Sequence, residues 1–211
     1  MELQDIKNSD FFRRICENKS SLVGAIIICC FILVAAFAPV ISRPHSQNPY
    51  LLPQYGYSPE PQPPSKRHIF GTTQDQYDLF HAIVWGTRTA FKIGIVVVGI
   101  SLALGVILGI LSGYYGGWID ETIMRFTDII LSLPGLVLAV VIVCMLGPGI
   151  EKVIIAIAAV SWPGYARLMR GDVMVIKNND FVSAAKIMGA SDLWIFTKHI
   201  LPNSIYPLVI V

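Results

Sequence analysis

The chain has 211 residues, of which 54% are hydrophobic and only 14% charged, with a mean hydropathy of +0.62 and a formal net charge of +2. Soluble domains carry about 25% charged residues, so this composition argues against a soluble enzyme and a disordered chain. The small net charge argues against a nucleic-acid-binding protein. We therefore predict an all-α, polytopic membrane helical bundle whose solvent is the bilayer.

The first apolar stretch lies between Lys19 and Arg43, where the sequence has no Asp, Glu, Lys or Arg. A helix of about 20 residues crosses the hydrocarbon, whereas the apolar region of a signal peptide has only about 7–15 residues. We therefore predict a cytoplasmic N-terminus at 1–21, followed by a retained transmembrane anchor at 22–42.

Residues 43–89 are predicted to form a Pro-rich outer segment, because seven of the 13 prolines lie between Pro44 and Pro64. Proline fixes φ and removes a donor, so this segment should be extended and irregular. Near its end, Thr73 and Gln76 have the spacing of a capping box. We interpret the following residues as a short amphipathic helix, either interfacial or packed on the bundle.

Residues 90–211 are predicted to form the membrane core, with spans at about 90–112, 125–146 and 150–168. The third of these is shorter and ends at basic side chains that can snorkel. A cytoplasmic loop should occupy 169–201, and the start of a fifth span 202–211. Because that last stretch is too short to cross a bilayer, we expect the chain to be a piece of a longer reading frame.

Small residues in the core indicate helix contacts and a bend. Gly105, Gly109 and Gly113 share one helix face, which predicts a close contact within the chain or with a partner. Pro134 and Gly135 predict a kink. Arg125 and Asp128 have the spacing of an ion pair on one face.

The loop at 169–201 carries helix signals although it is polar. Asp180 is predicted to cap a short helix that ends before Gly189, and Ser191 to cap a second helix. A short helix tied between two membrane spans is suited to transmitting force, although an ordinary surface helix has the same pattern. With the N-terminus inside, cytoplasmic segments hold ten of the 16 Lys and Arg residues, which favours that orientation.

Several motifs in this sequence occur together. They are Ser183-Ala184-Ala185 followed by Gly189 and Leu201-Pro202; Phe70-Gly71-Thr72; Gly86 with Arg88; Gly113-Tyr114-Tyr115-Gly116-Gly117-Trp118-Ile119-Asp120-Glu121; Trp162-Pro163-Gly164-Tyr165-Ala166-Arg167; and His199-Ile200-Leu201-Pro202-Asn203. The first resembles the EAA loop of binding-protein-dependent ABC importer permeases. The others resemble the C-type subunit of the dipeptide/oligopeptide (nickel) branch, and the resemblance covers nearly the whole chain.

The resemblance implies a six-span permease that pairs with a homologous second permease, two cytoplasmic ABC ATPase subunits and an external solute-binding protein. It implies import of short peptides, or of a related solute such as nickel or glutathione. The implied ATPase-coupling loop comprises Asp180, Phe181, Val182, Ser183, Ala184, Ala185, Lys186, Ile187, Met188 and Gly189. Two positions depart from the family pattern: Ser183 replaces the usual Glu, and Gln76-Tyr77 replaces Gly-Arg before Asp78.

The sequence contains no ATP-binding loop, no nucleophile elbow and no metal-ligand spacing. We therefore expect a non-catalytic membrane subunit without cofactor or metal. Two other classes stay open. An ion-gradient-driven secondary transporter would need carboxylates in mid-membrane, which the charge-free runs lack. A non-transporting membrane anchor or degraded paralogue would need no coupling-type loop.

Overall fold

The computed structural model describes residues 19–44, 48, 50–56 and 60–204. Within these residues the ordered elements are helices, and β-pairing is limited to the isolated bridges Gln54–Tyr77 and Thr72–Asp78. The helices are α1 (Lys19–Ile41), α2 (Leu79–Tyr115), α3 (Gly117–Leu131), α4 (Gly135–Leu146), α5 (Ile150–Ile176), α6 (Asp180–Ile187), α7 (Asp192–Ile195) and a π-helix (Phe196–Ile200). The prediction of an all-α helical bundle is confirmed.

Membrane-crossing helices are recognised by length and apolar character. Among the described residues, α1 and α2 qualify individually. Helices α3 and α4 qualify together as a third crossing, although they are bent by 88° at their break. The predicted span at 150–168 lies within α5, where it stays a prediction. Most of the predicted N-terminus at 1–21 and of the predicted span start at 202–211 falls outside the described residues.

The chain divides into two compact units, Met1–Lys92 and Ile93–Val211. In the first unit, Ala38 of α1 packs against Val84 and Trp85 of α2. The indole N–H of Trp85 also donates to the carbonyl of Ser42 at 3.0 Å. These contacts fix the end of the anchor helix against the start of α2.

Within the Pro-rich segment, the buried side chain of Gln76 joins residues that are distant in the sequence. Its amide nitrogen donates to the Glu60 carbonyl at 2.7 Å, and its amide oxygen accepts from Gln62 at 2.9 Å. Its backbone φ of +61° lies in the left-handed region. The predicted capping box is therefore wrong, because Gln76 lies in a turn before the helix and its side chain bonds to other parts of the segment.

Asp78 immediately precedes α2 and caps its first turn. Its Oδ1 accepts from the backbone N–H of His81 at 2.9 Å, and its Oδ2 lies 3.0 Å from Nδ1 of His68. Burial raises the pKa of Asp78, but these two partners outweigh that effect and hold the pKa below its usual value. The helix that begins here runs without interruption into the apolar run, so the predicted interfacial helix is the first part of α2.

In the second unit, α3 and α4 both pack against α5. Phe126 of α3 stacks on Trp162 of α5, with ring centroids 6.1 Å apart. The buried core joins α2, α5, α6, α7 and the π-helix through apolar side chains, which are Ile110, Tyr114, Met169, Val173, Ile176, Val182, Ala185, Ile195 and Ile200. This core connects the loop after α5 to the end of α2.

Candidate functional site

The predicted N-cap at Asp180 is wrong by one residue, because α6 begins at Asp180 itself. Asn179 has extended backbone angles and occupies the N-cap position, without a side-chain cap hydrogen bond. Asp180 is the first helical residue, so its carboxylate lies near the positive end of the helix dipole. The backbone carbonyl of Asn179 accepts from Val182 and Ser183 and closes the first turn.

The C-terminal end of α6 is a Schellman motif. Gly189 has φ of +82°, the left-handed value that its predicted C′ position requires. Its N–H donates to the carbonyl of Lys186, and the next N–H, of Ala190, donates to the carbonyl of Ala185, both at 3.0 Å. Glycine adopts this conformation without the steric penalty of a Cβ.

The two faces of α6 have different surroundings. Val182 and Ala185 are 0% and 2% exposed, because they pack into the core of the second unit. Ile187 and Met188 are 87% and 80% exposed. Together with Phe181, Ser183 and Ala184, which are also exposed, they form what we call the open face. Two large apolar side chains at one helix end are costly to leave in water, so the open face is suited to a protein contact.

The second helix of the loop is capped as its sequence predicts. The hydroxyl of Ser191 accepts from the backbone N–H of Trp194 at 3.4 Å. Next to it, the Asp192 carboxylate accepts hydrogen bonds from the hydroxyls of Tyr114 and Tyr115, at 2.7 and 3.0 Å. These hydrogen bonds, that of Tyr114 first, hold the pKa of Asp192 below its usual value, so the carboxylate is charged at neutral pH.

The end of α2 is also held by charged groups of α3 and α5. Arg170 donates to Asp120 through Nε at 2.5 Å and through Nη2 at 2.6 Å, and the hydroxyl of Ser112 donates to the same carboxylate. Nζ of Lys177 donates to the carbonyl of Gly113 at 2.6 Å. Lysine at this position satisfies a carbonyl that the helix end leaves without a partner.

Gly105, Gly109 and Gly113 all face α5. A Cβ added to Gly109 would lie 2.6 Å from Cβ of Met169, and one added to Gly113 would lie 2.8 Å from the carbonyl oxygen of Arg170. At Gly105 the nearest backbone atom, the nitrogen of Ala166, would be 2.9 Å away. The structure therefore brings these three glycines to a contact within the chain.

Pro134 and Gly135 lie at the break between α3 and α4. Pro134 is the N-cap of α4, with ψ of 115°, and Gly135 is the first residue of that helix. Of the ion pairs, the predicted contact between Arg125 and Asp128 is wrong. Arg125 contacts Glu121 at 3.4 Å, whereas Asp128 is bound by Arg167 of α5 at 2.5 Å.

Sequence reasoning missed the polar residues that hold the candidate loop to the bundle. Asp120, Arg170 and Lys177 stand near the ends of apolar stretches, where charged residues are common and no spacing indicates a partner. Tyr114 and Asp192 are 78 residues apart in the sequence. The part of the chain that the structure describes brings together no group of three or more potential metal ligands.

Comparisons with known proteins agree with this architecture. Residues 105–211 match the family described as binding-protein-dependent transport system inner membrane component. Residues 9–64 match the N-terminal TM domain of oligopeptide transport permease C. The two matches therefore cover the anchor helix and most of the unit that carries the candidate loop.

Curated relatives align over nearly the whole chain. The dipeptide transport system permease protein DppC of Alkalihalophilus pseudofirmus is 40% identical over 94% of this chain and 64% of its own length. The glutathione transport system permease proteins GsiD of Pectobacterium atrosepticum and Escherichia coli are 33% and 37% identical, over 95% of this chain and 65% of their length. The chain thus spans about two thirds of the length of these relatives. The matches and the apolar helices identify a multi-pass integral membrane protein.

Proposed function

The chain belongs to the family of binding-protein-dependent transport system inner membrane components, and from this premise we propose that it is a transmembrane permease subunit of an ATP-driven importer. The observation that carries the proposal is the open face of α6. A helix whose opposite side is buried in the bundle, and whose free side ends in exposed Ile187 and Met188, is suited to docking in an apolar cleft of an ATPase.

In the proposed mechanism, residues 180–189 form the ATPase-coupling loop. Closure of two ABC ATPase subunits displaces α6, and because Val182 and Ala185 pack against α2 and α5, the displacement reaches the membrane helices. The bundle then alternates between inward-facing and outward-facing states. In this proposal the permease subunit is non-catalytic, as in its family, and the partner subunits hydrolyse ATP.

The solute in this proposal is a short peptide or a related molecule such as glutathione or nickel. The first two follow the names of the relatives, which are dipeptide and glutathione permease proteins. The pathway is shared with a homologous second permease, and an external solute-binding protein delivers the solute. The N-terminus lies on the cytoplasmic side, which puts α6 on the side where ATP is available. We further propose the organisation predicted from the sequence: anchor at 22–42, outer segment at 43–89 and core at 90–211.

The coupling assignment is tested by co-purification of the ATPase with the tagged chain. Deleting 181–188, or replacing Ile187 and Met188 by glutamate, should abolish the association because the open face loses its apolar contact. Membrane insertion should be unchanged. Ile69→Glu is the matched control, since Ile69 is an exposed apolar residue of the outer segment. Undiminished association of the deletion variant would refute the coupling role.

Gly189→Val is expected to weaken coupling while insertion is preserved. A non-glycine residue in the left-handed region costs about 1–2 kcal/mol, and a β-branched side chain is least suited to it. The end of α6 should therefore unwind, which shifts Met188 in the open face. Gly189→Asn is the control, because asparagine tolerates this conformation. Equal ATP-driven uptake by the valine variant and the parent would contradict this prediction.

The proposed orientation predicts opposite labelling of two exposed loop positions. In a background without Cys16, Cys29, Cys30 and Cys144, a Gln74→Cys variant should react with a membrane-impermeant maleimide in intact cells. An Asn178→Cys variant should react only after lysis, because Asn178 follows α5 on the proposed inner side. The reverse pattern would overturn the cytoplasmic assignment of the N-terminus.

A further inference from the structure

Asp192 lies where three elements meet: the start of α7, the end of α2 and the last turn of α6. Its two carboxylate oxygens accept from the hydroxyls of Tyr114 and Tyr115, at 2.7 and 3.0 Å. Nζ of Lys186, on α6, lies 4.4 Å from the centre of the Tyr114 ring. We call these four residues, Tyr114, Tyr115, Lys186 and Asp192, the tyrosine clasp.

The tyrosines and the aspartate of the clasp are each held in place by neighbouring contacts. Tyr114 and Tyr115 are the last two residues of α2, and their rings pack edge-on with centroids 5.3 Å apart, so both hydroxyls reach the one carboxylate. The Tyr114 ring is buried and packs edge-on against Phe196 at 4.7 Å. On the other side, the Ser191 cap fixes the first turn of α7. The clasp is therefore a built contact between a membrane helix and the loop.

We propose that Asp192 is a positioning residue for coupling, which locks the loop containing α6 onto the end of α2 so that the two move as one body. This role rests on the proposed function, because a displacement of α6 matters only where an ATPase drives it. Asp192 contacts neither solute nor nucleotide in this role. It acts through Tyr114 and Tyr115.

The chemistry of the contact suits this role better than apolar packing alone. Apolar side chains allow neighbouring helices to slide, whereas two directional hydrogen bonds to one carboxylate fix both distance and rotation. Hydrogen bonds to an ionised acceptor are roughly twice as strong as neutral ones. Lys186 adds a cation–π contact from α6 itself. Because Lys177 also binds the carbonyl of Gly113, the end of α2 is fixed to α5 as well.

The test uses the assembled transporter in proteoliposomes, with Asp192→Ala and with the paired change Tyr114→Phe and Tyr115→Phe. The phenylalanines keep the ring contacts and remove only the hydroxyls. The ATPase should still co-purify and hydrolyse ATP, since the open face is intact. Uptake of radiolabelled alanyl-alanine per ATP should fall about tenfold, the effect of losing a hydrogen bond to a charged group. All three substitutions together should be no worse than Asp192→Ala, because they remove one shared contact.

A second readout measures the contact directly. Spin labels at Ile107→Cys on α2 and Lys198→Cys after α7, in a cysteine-free background, should give one narrow distance with and without trapped nucleotide. The Asp192→Ala variant should lose that single distance. This measurement needs no solute. It therefore tests the positioning role even if the parent complex does not transport alanyl-alanine. Tyr165→Phe is the matched control, since it removes a tyrosine hydroxyl from a residue that packs against the same core but lies outside the clasp.

The outcomes separate the clasp from the proposed function. Unchanged uptake per ATP and an unchanged distance in Asp192→Ala would overturn the positioning role. If Asp192→Ala lost both its ATPase association and its thermal stability, the contact would be merely structural and the positioning role would also be overturned. A parent chain that binds no ATPase would instead refute the proposed function, whatever the distance measurement gives.

Discussion

Replacing Gly109 by alanine is expected to destabilise the bundle by about 2 kcal/mol, and replacing it by leucine by more, because extra volume in a tightly packed contact forces the helices apart. The added Cβ would lie 2.6 Å from Cβ of Met169 and 2.7 Å from the carbonyl oxygen of Ala166. Attractive contacts between carbon atoms lie at about 3.5–4.0 Å. Helices α2 and α5 would therefore have to separate, which weakens the packing that also holds α6.

The matched control for this prediction is Gly99→Ala on the same helix. A Cβ at Gly99 meets nothing within 4 Å, and alanine is favoured over glycine in a helix by about 1 kcal/mol. Gly99→Ala should therefore leave the stability unchanged or raise it. The measurement is unfolding of the purified protein in sodium dodecyl sulfate, followed by circular dichroism. Equal midpoints for the Gly99 and Gly109 variants would show that the contact with α5 contributes nothing.

The sequence was informative about features that depend on local chain chemistry. The charge-free runs indicated apolar helices, and the structure has such helices at α1, α2 and the bent pair α3 and α4. Gly189 adopts a positive φ because a helix end needs a residue without a Cβ there, which is a local requirement. The three glycines spaced by four residues were recognisable as a contact face from helix periodicity alone.

The partner of each feature could not be predicted, because partners are chosen by tertiary geometry. Spacing suggested that Asp128 pairs with Arg125 on its own helix, yet Arg167 of α5 binds it. The capping-box pattern was misleading for the same reason. Gln76 is 0% exposed, and the hydrogen bonds of its side-chain amide to Glu60 and Gln62 hold the outer segment together. A sequence motif of four residues contains no information about such distant partners.

The candidate loop has features that local sequence predicts and contacts that it does not. Its helix, its C-terminal glycine and the Ser191 cap follow from local rules. Its attachment to the bundle depends on Asp192 reaching two tyrosines that are 77 and 78 residues away in the sequence. The proposed coupling role therefore depends on contacts that only the folded chain reveals.

Arg170→Ala is expected to cost about 2 kcal/mol of stability, a value between those of exposed and fully buried ion pairs. The two side chains of the Arg170–Asp120 pair are only 30% and 20% exposed. Removing the guanidinium leaves the Asp120 carboxylate with Ser112 as its remaining hydrogen-bond partner among the described residues. Arg170→Lys should recover only part of the loss, since an ammonium group cannot make both hydrogen bonds in the planar arrangement.

Arg125→Ala on α3 is the matched control, because its contact with Glu121 is 3.4 Å long and both side chains are largely exposed. Such pairs contribute less than about 1 kcal/mol. The same unfolding measurement checks both variants. The exchange of charges, Asp120→Arg with Arg170→Asp, should be more stable than the sum of its single changes predicts, because it restores the attraction. If Arg170→Ala and Arg125→Ala unfold alike, the Arg170–Asp120 pair does not hold α3 to α5, and the end of α2 is held by its other contacts, those of Lys177, of the glycine face and of Asp192.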